Sequence, residues 1–260
     1  METIVLKFGG KALQDLPHLE KVADIISEKR NQFKKVIVVV SAMGKTTDDL
    51  LSTANRVSPN PPLRELDMLV SVGERVSMAL LAIALDKRGI SARSFTGSQA
   101  GIITTDEHSN AMIIDVRAQR ILPYLDKGDV AIVAGFQGVS LQGEITTLGR
   151  GGSDTSAVAL AIAFRAKKVE FYKDVQGIFS KDPKIDPSAE LYSVLDYQEV
   201  LELINDEKVK VLHPRAIKLA EKNHIPLHVL TFREEGGSLG TTVLRGNHLP
   251  NERLLYERDI

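Results

Sequence analysis

Residues 36–47 read Val36-Ile37-Val38-Val39-Val40-Ser41-Ala42-Met43-Gly44-Lys45-Thr46-Thr47, VIVVVSAMGKTT. A strand ending in Gly-Lys-Thr invites a P-loop, and that choice decides which α/β fold to expect. With Gly44 as the second glycine of the motif, the first must stand at position 39, which is Val39, inside the apolar run. Without a glycine-rich turn there is no nest of backbone N–H groups for a β-phosphate. The P-loop reading fails. The continuous β-branched run marks a strand covered on both faces, followed by a small-residue turn and a helix opening near Thr46-Thr47-Asp48. From this stretch alone, a plain helix N-cap is the favoured reading.

Working outward, Thr3–Phe8 is a strand closed by Gly9-Gly10, and Leu16 to Phe33 shows the helical spacing of Leu19, Val22, Ile25 and Ile26. Leu66 to Leu85 reads as one long apolar helix with Arg88-Gly89 as its C-cap. Strands are expected at Ala92–Phe95, Asp129–Ala134, Val169–Tyr172 and Leu227–Leu230. Helices are expected at about Ile114–Asp126, Asp154–Arg165, Tyr197–Leu203 and Pro214–Lys222. A glycine cluster covers Gly135–Gly152, and Asp182–Pro187 is a proline-broken loop. This alternation predicts an α/β protein: an open, mostly parallel sheet with helices on both faces, in two lobes. The lobes are expected at residues 1–145 and 146–245, followed by a charged tail at 246–260. Ligands should sit at the carboxyl ends of the strands.

The chain has 260 residues, 43% apolar and 26% charged, which suits one large α/β domain or two small lobes sharing a sheet. A formal net charge of −1 gives no electrostatic reason to expect nucleic acid or an anionic membrane as partner. With no cysteine there is no disulfide, thiolate metal site or cysteine nucleophile. The six histidines show no metal-ligand spacing, and no carboxylate cluster resembles a metal cage, so any divalent ion would arrive with a nucleotide. No leader is read at the N-terminus, and the apolar runs read as too short or too broken by charge to cross a bilayer. A soluble, cytoplasmic protein is the expectation.

Four stretches carry candidate chemistry. Lys7-Phe8-Gly9-Gly10 ends a strand with a lysine and a turn that lets backbone amides approach a phosphate, although a simple turn explains it as well. Thr146–Ser156, TTLGRGGSDTS, sets Arg150 among glycines with Ser153-Asp154 at a helix start. A cap accounts for the serine or aspartate but not for Gly149-Arg150-Gly151-Gly152. A guanidinium so placed can hold a carboxylate bidentately, and the helix terminus adds donors for a second anion. Lys173-Asp174 to Phe179 and Lys181–Lys184 follow a strand and fit either a purine and phosphate shelf or a solvated loop. Glu74 stands in an apolar helix, facing either a ligand or solvent.

Taken in order, these segments closely resemble the catalytic domain of the aspartate kinases, members of the amino acid kinase superfamily. The matching stretches are KFGG (Lys7–Gly10), VVVSAMGKTTDDLL (Val38–Leu51), GERVS (Gly73–Ser77), RSFTGSQAGIIT (Arg93–Thr104), TTLGRGGSDTSA (Thr146–Ala157), KDVQGIFSKDPK (Lys173–Lys184) and KVLHPRA (Lys210–Ala216). The resemblance implies phosphoryl transfer from ATP to the side-chain carboxylate of L-aspartate, with Mg²⁺ arriving on the nucleotide. It implies that Lys7, Gly9 and Gly10 meet the phosphates, and that Lys7, Asp154 and Lys210 form the catalytic set. Thr47, Glu74, Arg150 and Ser153 would hold the amino acid, with Glu74 pairing either the α-ammonium or Lys7. Lys173, Asp174, Phe179 and Lys184 would line the nucleotide site. A homodimer is expected from base rates.

The chain departs from the family pattern at Lys11-Ala12, where Thr-Ser or Ser-Ser is usual, at Lys173 for threonine, at Phe179 for tyrosine, and at Asn205–Lys208 for a glycine-containing turn. Typical members continue into paired ACT domains, whereas this sequence ends at Ile260. The resemblance therefore implies catalysis without feedback control inside this chain, with a separate ACT-containing chain as a possible partner. Two other readings stay open: a related kinase acting on a different carboxylate or phosphate acceptor, and a catalytically silent paralogue or subunit.

Overall fold

The computed structural model describes residues 2–183, 185–205, 211–233, 239–245 and 254–259. In chain order its strands and helices are β1 (Thr3–Phe8), α1 (Leu16–Gln32), β2 (Lys35–Val40), α2 (Thr46–Val57), α3 (Leu63–Val70), α4 (Val72–Asp86), β3 (Ala92–Phe95), β4 (Ile102–Thr104), β5 (Ile113–Val116), α5 (Leu122–Asp126), β6 (Val130–Ala134), β7 (Gln137–Ser140), β8 (Ile145–Thr147), α6 (Gly152–Ala163), β9 (Val169–Lys173), β10 (Val194–Leu195), α7 (Tyr197–Asn205), α8 (Pro214–Lys222), β11 (Leu227–Thr231) and β12 (Thr241–Val243).

Eight strands form one sheet in the order β10-β12-β11-β9-β1-β2-β6-β3, parallel throughout except where β12 runs against β11. The expected open parallel sheet is therefore present. β1 lies at its middle, paired with β2 on one side and β9 on the other. The chain order reverses across that point, which leaves a crevice at the carboxyl ends of these strands.

The two-residue period of a strand assigns the faces. Ile4, Leu6 and Phe8, with Val36, Val38 and Val40, join the core under α1 and α4. Val5, Ile37 and Val39 join the core under α6 and α8. Lys7, two residues beyond Val5, thus points to the α6 face, where it meets Asp154. α6 itself is buried along Gly152–Ile162, as its small and apolar sequence (GSDTSAVALAI) requires of a helix wedged against a sheet.

Three expectations are corrected. The helix expected at Ile114–Asp126 is instead the strand β5, a 3-10 turn at Ala118–Arg120, and the short α5. Pro123 lacks a backbone N–H and suits only the first turn of a helix, so helix can begin at Leu122 but not run through it. The segment before it pairs as an edge strand with β4. The single helix expected at Leu66–Leu85 breaks at Ser71, whose carbonyl accepts a 2.8 Å hydrogen bond from the Gln137 amide. The glycine cluster contains the hairpin β7–β8, part of a second sheet, β5-β4-β7-β8, that the sequence reading missed.

The Gly89 C-cap is present, in left-handed conformation, with the Ile90 N–H bonded to the Leu85 carbonyl. Taken across the break at Ser71, Leu63–Asp86 is long and apolar enough, by length and composition alone, to cross a membrane, whereas the apolar runs were expected to be too short and too often broken by charge; half of the apolar stretch is buried inside the protein. Within the expected charged tail, the described residues 254–259 dock on the body. Tyr256 is buried, and Glu257 accepts from the Ile113 N–H and pairs with Arg215.

Candidate functional site

The crevice beside β1 holds a cavity of about 600 Å³. Its floor comes from the end of β1, and the small-residue turn Ser41–Gly44 and the start of α2 form one side. α3 and α4 contribute Leu66, Val70 and Glu74, and the turn before α6 closes the opposite side. Ser109, Phe136 and Thr147 complete the wall. Two glycines permit this closeness. A side chain at Gly10 would lie 2.8 Å from the Ala42 carbonyl, so the first and second strand ends could not pack together with any other residue there. Gly151 has φ +73, and a Cβ on it would lie 2.1 Å from the His213 ring. The turn carrying Arg150 thus needs glycine twice over, for conformation and for space.

A buried charge cluster sits on the floor. Lys7 Nζ lies 2.7 Å from Asp154 Oδ1, and Lys173 Nζ, from the end of β9, lies 3.2 Å from Asp154 Oδ2. Burial works to raise the Asp154 carboxyl, but Lys173 and Lys7 outweigh it and hold the group at about 2. Burial brings the Lys173 ammonium down to about 8 against the pull of Asp154. One carboxylate therefore fixes two ammonium groups at the carboxyl end of the central strands, and the cluster carries net positive charge at neutral pH.

Glu74 is buried in the α4 wall. One oxygen accepts from the Ala42 N–H at 3.0 Å, and the other has no hydrogen-bond partner. Burial pushes its carboxyl up to about 7, with the Lys7 charge only a partial offset. Lys7 bonds to Asp154 rather than to Glu74. Across the cavity Arg150 is exposed and forms no ion pair with a described residue. Thr47 lies in the first turn of α2 and lines the cavity. The expected side-chain cap is not formed: Lys45 is the N-cap without a capping bond, and Thr46 donates back to the Met43 carbonyl. Ser153 is nearly buried in the first turn of α6, against Gly135.

Of the residues singled out from sequence, Lys7, Gly10, Thr47, Glu74, Arg150, Ser153 and Asp154 line this one cavity. Gly9 lies beside Lys7 Nζ. Lys173 joins through Asp154 without lining it. Asp174 accepts a 2.8 Å bond from Lys11, so two positions that deviate from the family pattern or flank a deviation are joined across 163 residues of chain. Phe179 is half-buried beyond the cavity and bridges to Leu191. Lys184 and Lys210 lie outside the described residues, as do positions 206–208 of the Asn205–Lys208 segment. The sequence reading missed Ser109, Phe136, Thr147 and, behind them, the buried Asp67. The only available signal for Asp67 was a carboxylate in the apolar helical pattern Leu66-Asp67-Met68-Leu69, the same signal that exposed Glu74.

Chemically, the arrangement offers a cationic floor, a guanidinium at the rim and a carboxylate poised between its charged and neutral forms. Such a cavity suits a small zwitterionic or anionic ligand brought up against a second anion.

Residues 2–231 match the amino acid kinase family. The aspartokinase of Mycolicibacterium smegmatis is 50% identical over 230 residues, 88% of this chain and 54% of that protein. The crystal structure of aspartate kinase from Synechocystis superposes with a TM-score of 0.84 at 43% identity, covering 96% of this chain and 40% of that one. Aspartokinase III of E. coli, crystallised with aspartate and ADP, gives a TM-score of 0.81 at 27% identity over 95% of this chain and 65% of that one. The chain spans between two fifths and two thirds of these relatives' lengths. With the match running from the first strand through β11, this chain belongs to the amino acid kinase family.

Proposed function

We propose that the chain transfers the γ-phosphoryl group of ATP to the side-chain carboxylate of L-aspartate, giving 4-phospho-L-aspartate and ADP. The observation that carries this reading is the meeting, in one cavity, of the Lys7–Asp154 pair, held from behind by Lys173, with the Arg150 guanidinium and the half-bonded Glu74. The E. coli relative crystallised with aspartate and ADP supports the pairing of ligands.

An ionised carboxylate is already a nucleophile, so no general base is required. A new bond forms between a carboxylate oxygen and the γ-phosphorus, and the bond from that phosphorus to the β–γ bridging oxygen breaks as ADP leaves. The obstacle is repulsion between two anions, and the task of the protein is placement and charge neutralisation. Lys7 is the ammonium group that faces the reacting atoms, and Asp154 holds it there. Lys210 is proposed to reach the phosphates as well.

Arg150 holds the α-carboxylate of the amino acid. Glu74 takes its α-ammonium on the oxygen that the protein leaves without a partner, since Lys7 is engaged by Asp154. Thr47 and Ser153 add hydroxyl contacts. Lys173, Asp174, Phe179 and Lys184 line the nucleotide side, with Gly9-Gly10 under the phosphates. Among the described residues no group of three His, Cys, Asp or Glu could hold a metal ion. Asp154 is taken up by two lysines, so Mg²⁺ would ride on the ATP phosphates, where it supplies further neutralisation of their charge. The proposed lobes, 1–145 for the amino acid and 146–245 for the nucleotide, both contribute to the acceptor cavity. We also propose a symmetric dimer, which sedimentation would check.

The test is ADP release with ATP, Mg²⁺ and a panel of acceptors, with hydroxylamine present to trap acyl phosphate. Turnover confined to L-aspartate supports the proposal. Turnover only with another acceptor, or none from folded protein, overturns it.

A further inference from the structure

We infer that Asp67, which touches no part of the cavity itself, is a positioning residue that sets the wall opposite the Lys7–Asp154 floor. The inference rests on the proposed use of the cavity as the acceptor site. Asp67 lies on α3 and is fully buried. An isolated carboxylate in such surroundings would be strongly disfavoured unless its lone pairs were filled. Here they are filled by three residues from two other parts of the chain. The Ser109 N–H lies 3.1 Å from both oxygens, and the Ser109 hydroxyl lies 3.2 Å from Oδ1. The Thr147 N–H donates to Oδ2 at 3.1 Å, and the Thr147 hydroxyl to Oδ1 at 2.5 Å. His108 Nδ1 sits 2.8 Å from Oδ2.

Plain helix packing would be served as well by an apolar residue here, so this density of bonds calls for another account. The bonds tie α3 to the loop before β5 and to the end of β8. Both Ser109 and Thr147 line the cavity, as do Leu66 and Val70 on the same helix. Ser109 is held at φ +65, a conformation that a residue with a side chain seldom adopts without support. Its carbonyl then packs against Gly149, where a Cβ would lie at 3.0 Å, and Gly149 opens the turn that carries Arg150. The contact path thus runs from Asp67 through Ser109 to the guanidinium proposed to hold the amino acid. A displacement of Ser109 is therefore expected to reach the Arg150 turn.

Asp67→Asn keeps the volume but turns one acceptor into a donor that faces N–H and O–H groups. The experiment pairs steady-state kinetics with amide hydrogen exchange of the ligand-free protein. The KM for L-aspartate is expected to rise at least tenfold, with the KM for ATP within twofold and kcat changed less than threefold. Exchange should quicken in peptides covering 105–112 and 145–150 and stay unchanged in α1 and β2. If Asp67→Asn does not fold, His108→Phe, which removes one donor to Asp67 and does not line the cavity, is expected to raise the KM for L-aspartate about threefold. An unchanged KM for L-aspartate overturns the inference. So does a fall in kcat accompanied by faster exchange everywhere, since that marks a purely structural role. Should the parent protein turn over no L-aspartate, the proposed function fails. The exchange arm then still decides this inference: local quickening supports it, and uniform or absent change overturns it.

Discussion

Replacing Glu74 with glutamine tests the chemistry of the cavity wall through stability alone. Burial raises this carboxyl from its ordinary 4.5 to about 7, a difference worth about 3 kcal/mol of folding free energy. A raised folded value means that the group stabilises the fold fully below pH 4.5 and that this contribution is lost as pH climbs through 7. A glutamine amide at this position would not titrate. The stability of the parent relative to Glu74→Gln should therefore fall by about 3 kcal/mol between pH 4.5 and pH 8, read by urea unfolding of the ligand-free proteins. The glutamine carbonyl can keep the 3.0 Å bond from the Ala42 N–H, so the comparison isolates the charge. At pH 8, saturating L-aspartate should restore part of the loss in the parent, where its ammonium would pair the free oxygen. Glu74→Gln, which keeps only the Arg150, Thr47 and Ser153 contacts, should gain less from the same ligand. Parallel pH profiles for the two proteins, agreeing within about 0.5 kcal/mol, would refute the reasoning.

Other outcomes follow from the same cluster. Lys7→Ala should lower kcat by about a hundredfold or more with a smaller change in KM, because the ammonium acts on charge that develops in the transition state. Lys173, depressed to about 8 from 10.5, binds a proton more readily unfolded than folded. Stability should thus rise by about 3 kcal/mol between pH 8 and 10.5, and Lys173→Met should abolish that rise in urea titrations. Asp154→Asn leaves two buried ammonium groups without their counter-charge and should cost about 3 kcal/mol or more at pH 7, measured the same way. Gly151→Ala meets both the left-handed backbone and the His213 side chain, its Cβ included, and should cost about 1–3 kcal/mol; a second change, His213→Gly, which removes that Cβ as well as the ring, should recover only the steric share.

Six of the eight strands of the central sheet were legible, most of them short apolar runs rich in β-branched residues, while β10 and β12, two and three residues long, were not. Counting by two puts Lys7 on the same face as Val5, and the structure shows that α6 covers that face. The second sheet was not legible. Its strands are three or four residues long, and β4 pairs with β7 across more than thirty residues of chain, so no local pattern announces them. The segment around Ile114–Leu125 carries apolar residues that fit a helical period, and only the partner strand and Pro123 decide against it. Within the site, the glycine-flanked Arg150 stood out because a helix cap does not explain its glycines, whereas the strand-end Lys7 gained its meaning only from the ordered family resemblance. Asp67 and the Lys11–Asp174 pair did not stand out, since their meaning lies in partners 41 to 163 residues away. Thr47 illustrates the intermediate case: the local sequence offered a cap near Thr46-Thr47-Asp48, which is not formed, and only the family resemblance pointed to the cavity that Thr47 lines.

The most direct test of the account follows the oxygen that attacks phosphorus. L-Aspartate carrying ¹⁸O in its side-chain carboxylate, incubated with ATP, Mg²⁺ and the protein, should yield an acyl phosphate whose ³¹P resonance shows the isotope shift of a P–¹⁸O bond, and Lys7→Ala should leave that signal nearly absent. ADP formed together with unshifted inorganic phosphate, or an acyl phosphate lacking the ¹⁸O shift, would contradict it.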